Sequence, residues 1–415
     1  MPEKSLALRA QENRPPSFGP GDKVALPAPF ATPFNTKQSR VIGWPAGRTP
    51  NAPSGFRVSA FAEGLKNPRS LYLLPNGDVL VAESIQPSSA PPREAFGQIT
   101  LLRDANKDGV AEIREAFLTT GLNLPFGMAL IRNRLYIGNH DSVIAFPYET
   151  GQTKMTASPA RIMELPRGGH YTRNLIANAD GSKLYIAVGA ATDANQDGNA
   201  EKEPQRAAIL EINPDGSGLR VFAGGIRNPV GMSWEPTTRM LWTVVNERNT
   251  LGDDLVPDYA TSVREGGFYG WPWAYFGRNP DPLQKGQHPE LVAKTLVPDF
   301  ALGAHSSSLG LVFYQGTSFP SQYRGGAFIG QHGSNRRASF AGFRVLFLPF
   351  RNGKPTGDAE DFLTGFIANA QSGEVYGRPV GLAVLADGSL LVADDGGNKI
   401  WRVSHTDATR SAASR

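Results

Sequence analysis

The chain has 415 residues and a formal net charge of +4, with 46 Gly, 33 Pro and no Cys. Without Cys there can be no disulfide, thiolate metal site, iron–sulfur cluster or covalent c-type haem, and so small a charge over this length does not indicate a general nucleic-acid surface. No run of about 18 apolar residues occurs, so no membrane span is expected, and no apolar leader opens the chain, as in a cytosolic protein or a mature periplasmic or secreted one.

Residues 1–54 carry Pro27, Pro29, Pro33, Pro45, Pro50 and Pro53, which interrupt any regular element, so an extended arm is expected there. A clean alternation begins at Phe56 and predicts a strand over 56–61. A pattern then repeats: a short apolar strand, a turn and a second short apolar strand. Its copies lie at 67–83, 124–139, 168–188, 228–246, 308–330 and 378–394. After several of them comes a further strand, as at 98–102, 208–212 and 399–403. This periodicity predicts an all-β chain over 55–415, a six-bladed β-propeller with four-stranded antiparallel blades. The strand near Gly55–Ala62 is expected to close the ring by joining the sheet that the last repeat begins, leaving no raw edge. A sandwich or solenoid would not need the shared turn and the small residues common to the copies.

In a propeller, the residues just before each repeat converge on one mouth of the central channel. Here they are Arg69, Asn123, His170, Arg173, Arg227, Asn228, His305 and Arg378. One such Arg can simply cap a neighbouring carbonyl. A whole ring of them suits a polyanion, because the guanidinium fork matches carboxylates and phosphates. His170 follows two glycines, which permit close approach of a ligand, and an imidazole can take a proton at neutral pH. His305 and His332 are further imidazoles of the same kind.

Asp104, Asn106, Asp108, Val110 and Glu115 fit the D-x-[DN]-x-[DN]-G-x5-E calcium loop, although between strands, so a cation site and a solvated acidic turn both remain open. Asp193, Asn195 and Asp197 repeat its core, but Pro204 stands at the twelfth position.

The stretches Gly169-His170-Tyr171-Thr172-Arg173-Asn174, Gly225-Ile226-Arg227-Asn228-Pro229, Gly252-Asp253-Asp254 and Gly330-Gln331-His332-Gly333-Ser334-Asn335-Arg336 together resemble the quinoprotein sugar dehydrogenases, the soluble glucose dehydrogenase and sorbosone dehydrogenase group. The resemblance runs from about Pro27 to the C-terminus. It implies a six-bladed propeller that binds pyrroloquinoline quinone (PQQ) and Ca2+, and oxidises a sugar, aldehyde or alcohol for an external electron acceptor such as a quinone or cytochrome. It implies His170 as general base and Arg227 beside the quinone's reactive carbonyls with Asn228. Arg336 or Arg337, together with Arg378, would pair with the cofactor's carboxylates, and Asn123, Arg173, His305 and His332 would complete its surroundings. Calcium would lie on backbone carbonyls near Arg248 and Asn249. The protein would be a periplasmic or secreted monomer or homodimer. Against the soluble glucose dehydrogenases, Gly169 replaces an acid before the base, Val380 replaces a second arginine, and Arg248-Asn249 replaces Gly-Pro. Two other classes are a metal-dependent propeller hydrolase or lactonase, built on Glu83, Asp141 and Asp394, and a non-catalytic binding propeller.

Overall fold

The computed structural model describes residues 17–89 and 92–406. They form six main antiparallel sheets, five drawn from successive stretches at 68–118, 128–164, 175–224, 229–304 and 308–363, and a sixth with three strands at 379–405. The sixth sheet takes its fourth strand from Phe56–Glu63, which pairs antiparallel with Lys399–His405. The first strand of the body thus closes onto the last, as the alternation predicted. The fourth sheet gains a fifth strand, Phe18–Pro20, paired with Phe300–Ala304, and Arg40–Val41 pairs in parallel with Glu374–Val375. The arm is therefore irregular only in part. No helix among the described residues is long and apolar enough to cross a membrane.

Strand period explains how the sheets pack. Successive side chains point to opposite faces, so each sheet serves two cores. Leu80 and Ala82 join Leu135 and Ile137 of the second sheet. Val79 and Val81, one residue away, join Leu391 and Ala393 of the sixth. The same alternation builds apolar cores between the second and third, third and fourth, fourth and fifth, and fifth and sixth sheets. Six cores between six sheets complete a cycle.

The first strands of the sheets meet at the centre. They line a cavity of about 370 Å³ with contributions from all six, among them Leu71, Met128, Leu175, Met232, Leu311 and Leu382. Phe126, Val230, Leu309 and Val380 form a small apolar cluster of their own there. Each stands immediately before a glycine of the repeat. The glycines are required by proximity: a Cβ at Gly310 would lie 2.0 Å from the Val380 carbonyl oxygen, and one at Gly127 would lie 2.2 Å from the Leu175 nitrogen.

Because the obstacle at Gly310 is backbone, it cannot swing aside. Gly310→Ala is expected to cost about 3 kcal/mol, the upper range for overpacking, read as a lower urea midpoint at unchanged m-value. A loss below about 0.5 kcal/mol, the range of neutral surface changes, would contradict so tight a centre.

Candidate active site

The loops that enter the first strands gather two neighbouring clefts that share Gln86 and Tyr171. One, of about 510 Å³, is lined by His170, Asp193, Arg227, Asn249, Arg336 and others. The second, of about 460 Å³, is lined by Arg69, His332, Arg378 and Asp395 among others. His170, Arg227 and Arg378 therefore stand on one face.

His170 is fixed by backbone. Its Nδ1 lies 2.7 Å from the Ala190 carbonyl oxygen, so Nδ1 carries the proton and donates, and Nε2 keeps its lone pair. Its own N–H donates to the same carbonyl at 3.1 Å. The chain reaches this carbonyl because Gly169 adopts φ +66°; a Cβ there would lie 2.6 Å from the Ala190 oxygen. A backbone carbonyl thus orients the imidazole where an acidic neighbour is missing. Burial, and then the Arg227 charge, push the His170 pKa down to about 3. The ring is neutral at every physiological pH, a state in which it can accept a proton.

Arg227 is 3% exposed and held by three protein oxygens. It bonds the Asp193 carbonyl at 3.1 Å, the Asn246 carbonyl at 2.8 Å and the Asp193 carboxylate at 2.7 Å. Asp193 in turn accepts from the Asn249 amide and backbone and from Thr250. Burial would raise its pKa, but Arg227 and Asn249 outweigh that and hold it low. Asp193 is thus a charged keystone of the cleft, its carboxylate engaged by Arg227, Asn249 and Thr250. Asn195 and Asp197 accept the Ala200 and Asn199 N–H groups and close turns.

In the second cleft Asp395 takes an ion pair from Arg69 and stands 2.8 Å from His332 Nε2. Burial would raise the Asp395 pKa; His332 and the Arg69 and Arg378 charges overcome it, and Asp395 stays ionised. His332 is held down to about 4 by burial and then by Arg378, despite the carboxylate beside it. Burial is the largest influence, so the pair is a neutral imidazole beside an ionised carboxylate. The Arg378 guanidinium makes long hydrogen bonds, 3.4 Å each, to the His332 and Gly333 carbonyls and lies over the Phe343 ring, 5.7 Å from its centroid. Arg336 is exposed, with no protein partner among the described residues.

Several expected residues lie elsewhere. Arg173 is fully buried and caps the His170, Thr172 and Pro166 carbonyls; burial and Arg206 lower its pKa to about 9. Arg337 is buried against the Ala304 carbonyl and Asp254. His305 is buried and donates to the Gly252 carbonyl at 2.8 Å. Asn123 is exposed beside Asp141 and Asn139. The Arg248 side chain is buried in an ion pair with Asp281, so only its backbone faces the loop. In the first acidic loop Glu115 lies on the strand Ile113–Leu118 near Lys154. Glu112 instead groups with Asp104 and Asp108. Asn106 and Asp108 accept N–H groups of their own turn, from Asp108 and from the exposed Val110. The acids of the hydrolase alternative are committed: Glu83 accepts from Lys66 and Thr100, Asp394 from Trp44, Trp401, Arg378 and Gly397, and Asp141 from Ser142. Asp395, Thr192 and Gln86 complete the clefts and carry no motif that would single them out.

A tricarboxylate quinone suits what remains. Arg336 has no partner among the described residues, Arg378 is weakly held, and Thr192 Oγ1 of the first cleft is buried without a partner. In the family comparison, residues 50–257 and 285–406 match the family described as TrAA12-like. The chain belongs to this family of PQQ-dependent oxidoreductases. Over 182 residues it is 31% identical to the aldose sugar dehydrogenase YliI of Escherichia coli, covering 40% of this chain and 46% of that one. Its fold matches the calcium structure of the Trichoderma reesei family AA12 enzyme, with TM-score 0.73, 18% identity and coverage of 89% of this chain and 99% of the other. It also matches the holo PQQ domain of the Coprinopsis cinerea pyranose dehydrogenase, with TM-score 0.71, 19% identity and coverage of 90% and 100%.

The direction of the His170 shift is checked by imidazole NMR of cofactor-free protein. A depressed cation pKa means the proton is refused until well below the usual value. The His170 signals are expected to stay those of a neutral Nδ1–H ring from about pH 8 down to about pH 5; a midpoint near the free value would contradict the geometry.

Proposed function

We propose that the protein is a six-bladed propeller quinoprotein that uses PQQ and Ca2+ to oxidise an aldose or a related aldehyde or alcohol, with His170 as general base. The observation that carries this reading is the neutral imidazole with a bare Nε2, set in one cleft with Arg227 and the unpaired Arg336. The cycle of six cores supports the blade count.

Arg336 and Arg378 would hold the cofactor's carboxylates, since neither has a strong protein partner. Asn228, with its unpartnered Oδ1, and Arg227 would meet its polar edge. Calcium would sit near the backbone of Arg248 and Asn249, where the Asp193 carboxylate adds negative charge to the surroundings. When bound, the quinone supplies the two-electron acceptor, made more electrophilic by the cation.

The chain's own part is positional and protonic. Nε2 of His170 accepts the substrate hydroxyl proton, and the Ala190 carbonyl stabilises the resulting imidazolium through Nδ1–H. Arg227 cannot move to meet the charge, because three protein oxygens hold it. It therefore acts as a preorganised positive wall and needs no reorganisation. With no Cys the sequence carries no c-type haem, and in this reading electrons pass to an external acceptor. In this reading the protein works in the periplasm or outside the cell.

Purified protein mixed with PQQ and Ca2+ is expected to reduce a dye when aldoses are added, and chelators are expected to abolish the signal. His170→Ala is expected to lower kcat by about 10²-fold or more, as loss of a general base does, while quinone absorbance titration still shows binding. No quinone binding and no dye reduction across a broad sugar and alcohol panel would overturn the reading. Arg378→Ala is expected to weaken quinone binding about tenfold, a shift of about 1.4 kcal/mol; unchanged binding would place the carboxylates elsewhere.

A further inference from the structure

We propose that Phe34, delivered by the N-terminal arm, is the aromatic wall of the substrate subsite, and that Asp253 is the positioning residue that holds it there. The inference rests on the sugar-oxidising reading and names what meets the sugar.

Phe34 is 38% exposed and lines the same cleft as His170, Arg227 and Arg336. Part of the residue is thus left open to the cleft. The arm around it is nevertheless held at many points. Phe30 N–H donates to the Leu251 carbonyl at 2.7 Å, and Asp253 N–H donates to the Pro33 carbonyl at 3.2 Å. The Asp253 carboxylate accepts from Asn35 twice, from its N–H at 2.9 Å and its amide at 3.1 Å. The same carboxylate accepts Ala338 N–H at 2.7 Å. Beyond it, Lys37 N–H reaches the Asn335 carbonyl at 3.3 Å.

One acid thus ties three segments together: the arm, the loop after Arg248 and Asn249, and the segment that carries Arg336. Phe34 stands between Pro33 and Asn35, both tied to Asp253, so its backbone is held at the cleft while the clamp is made. A pyranose offers one face of C–H groups and a rim of hydroxyls. A fixed apolar ring beside polar walls matches both parts, because an aromatic face buries apolar surface while its neighbours bond the rim. By this arrangement Phe34 selects cyclic sugars over small open-chain alcohols.

Two measurements test this. In saturation-transfer NMR, cofactor-free wild type is expected to transfer to the ring C–H protons of at least one of the methyl pyranosides of glucose, galactose, xylose and fucose. Phe34→Ala is expected to lose that transfer and Phe34→Tyr to keep it. In steady-state assays with PQQ and Ca2+, Phe34→Ala is expected to raise KM about tenfold, equivalent to about 1.4 kcal/mol, with kcat within about twofold and quinone binding unchanged. Asp253→Asn is expected to show the same KM split at smaller size. Equal transfer in wild type and Phe34→Ala, no transfer in wild type with any glycoside, or a change in kcat without KM would overturn the proposal. Failure of wild type to oxidise any sugar would instead sink the sugar-oxidising reading, and the NMR comparison would still judge Phe34.

Discussion

The contact on which everything else depends is backbone against backbone around the central axis. The first strands of six sheets approach so closely that the repeat places glycine where the next strand passes, as at Gly127 and Gly310. Inter-sheet cores radiate from that centre, and the loops leading into the first strands are forced to one place. His170, Arg227 and Arg378 are distant in sequence and adjacent in space for that reason alone. A loosened centre would splay these loops before it unfolded any sheet.

Within the mouth, the electrostatics divide into groups that are satisfied and groups that are not. Arg227, Arg173, Arg248 and Arg337 are bound to protein oxygens. Arg336 and Arg378 are the cations left for a ligand. Both histidines of the clefts are kept neutral, by burial first and by nearby guanidinium groups second. A cup that is positive overall yet keeps a bare imidazole nitrogen can hold an anion and still take a proton. The two properties come from different groups: Arg336 and Arg378 are left to attract carboxylates, while burial and then Arg227 keep His170 unprotonated.

Much of the fold was legible because the pattern repeats. Alternation marked the strands, each copy carried the same turn, and the unpaired strand at 56–61 had one natural partner. The His170 and Arg227 loops were legible for the same reason, since residues just ahead of each repeat must converge. What was not legible depends on local competition for hydrogen bonds. Arg173 follows His170 at three residues, as a ligand would, but the His170 and Pro166 carbonyls claim it. Asp193 opens an apparent calcium loop, and Arg227 claims it first. Glu115 fits the twelfth position by count, but in a β context that position falls on a strand and Glu112 turns inward. The arm's share in the cleft had no signal at all, because Phe34 stands among prolines and its clamp, Asp253, lies more than two hundred residues away.

The most direct check is a crystal structure of the protein grown with PQQ and Ca2+. The quinone is expected in the paired clefts, its carboxylates toward Arg336 and Arg378, with His170 Nε2 facing it without a protein partner. Density elsewhere, or a His170 ring turned so that Nε2 bonds the Ala190 carbonyl, would contradict it.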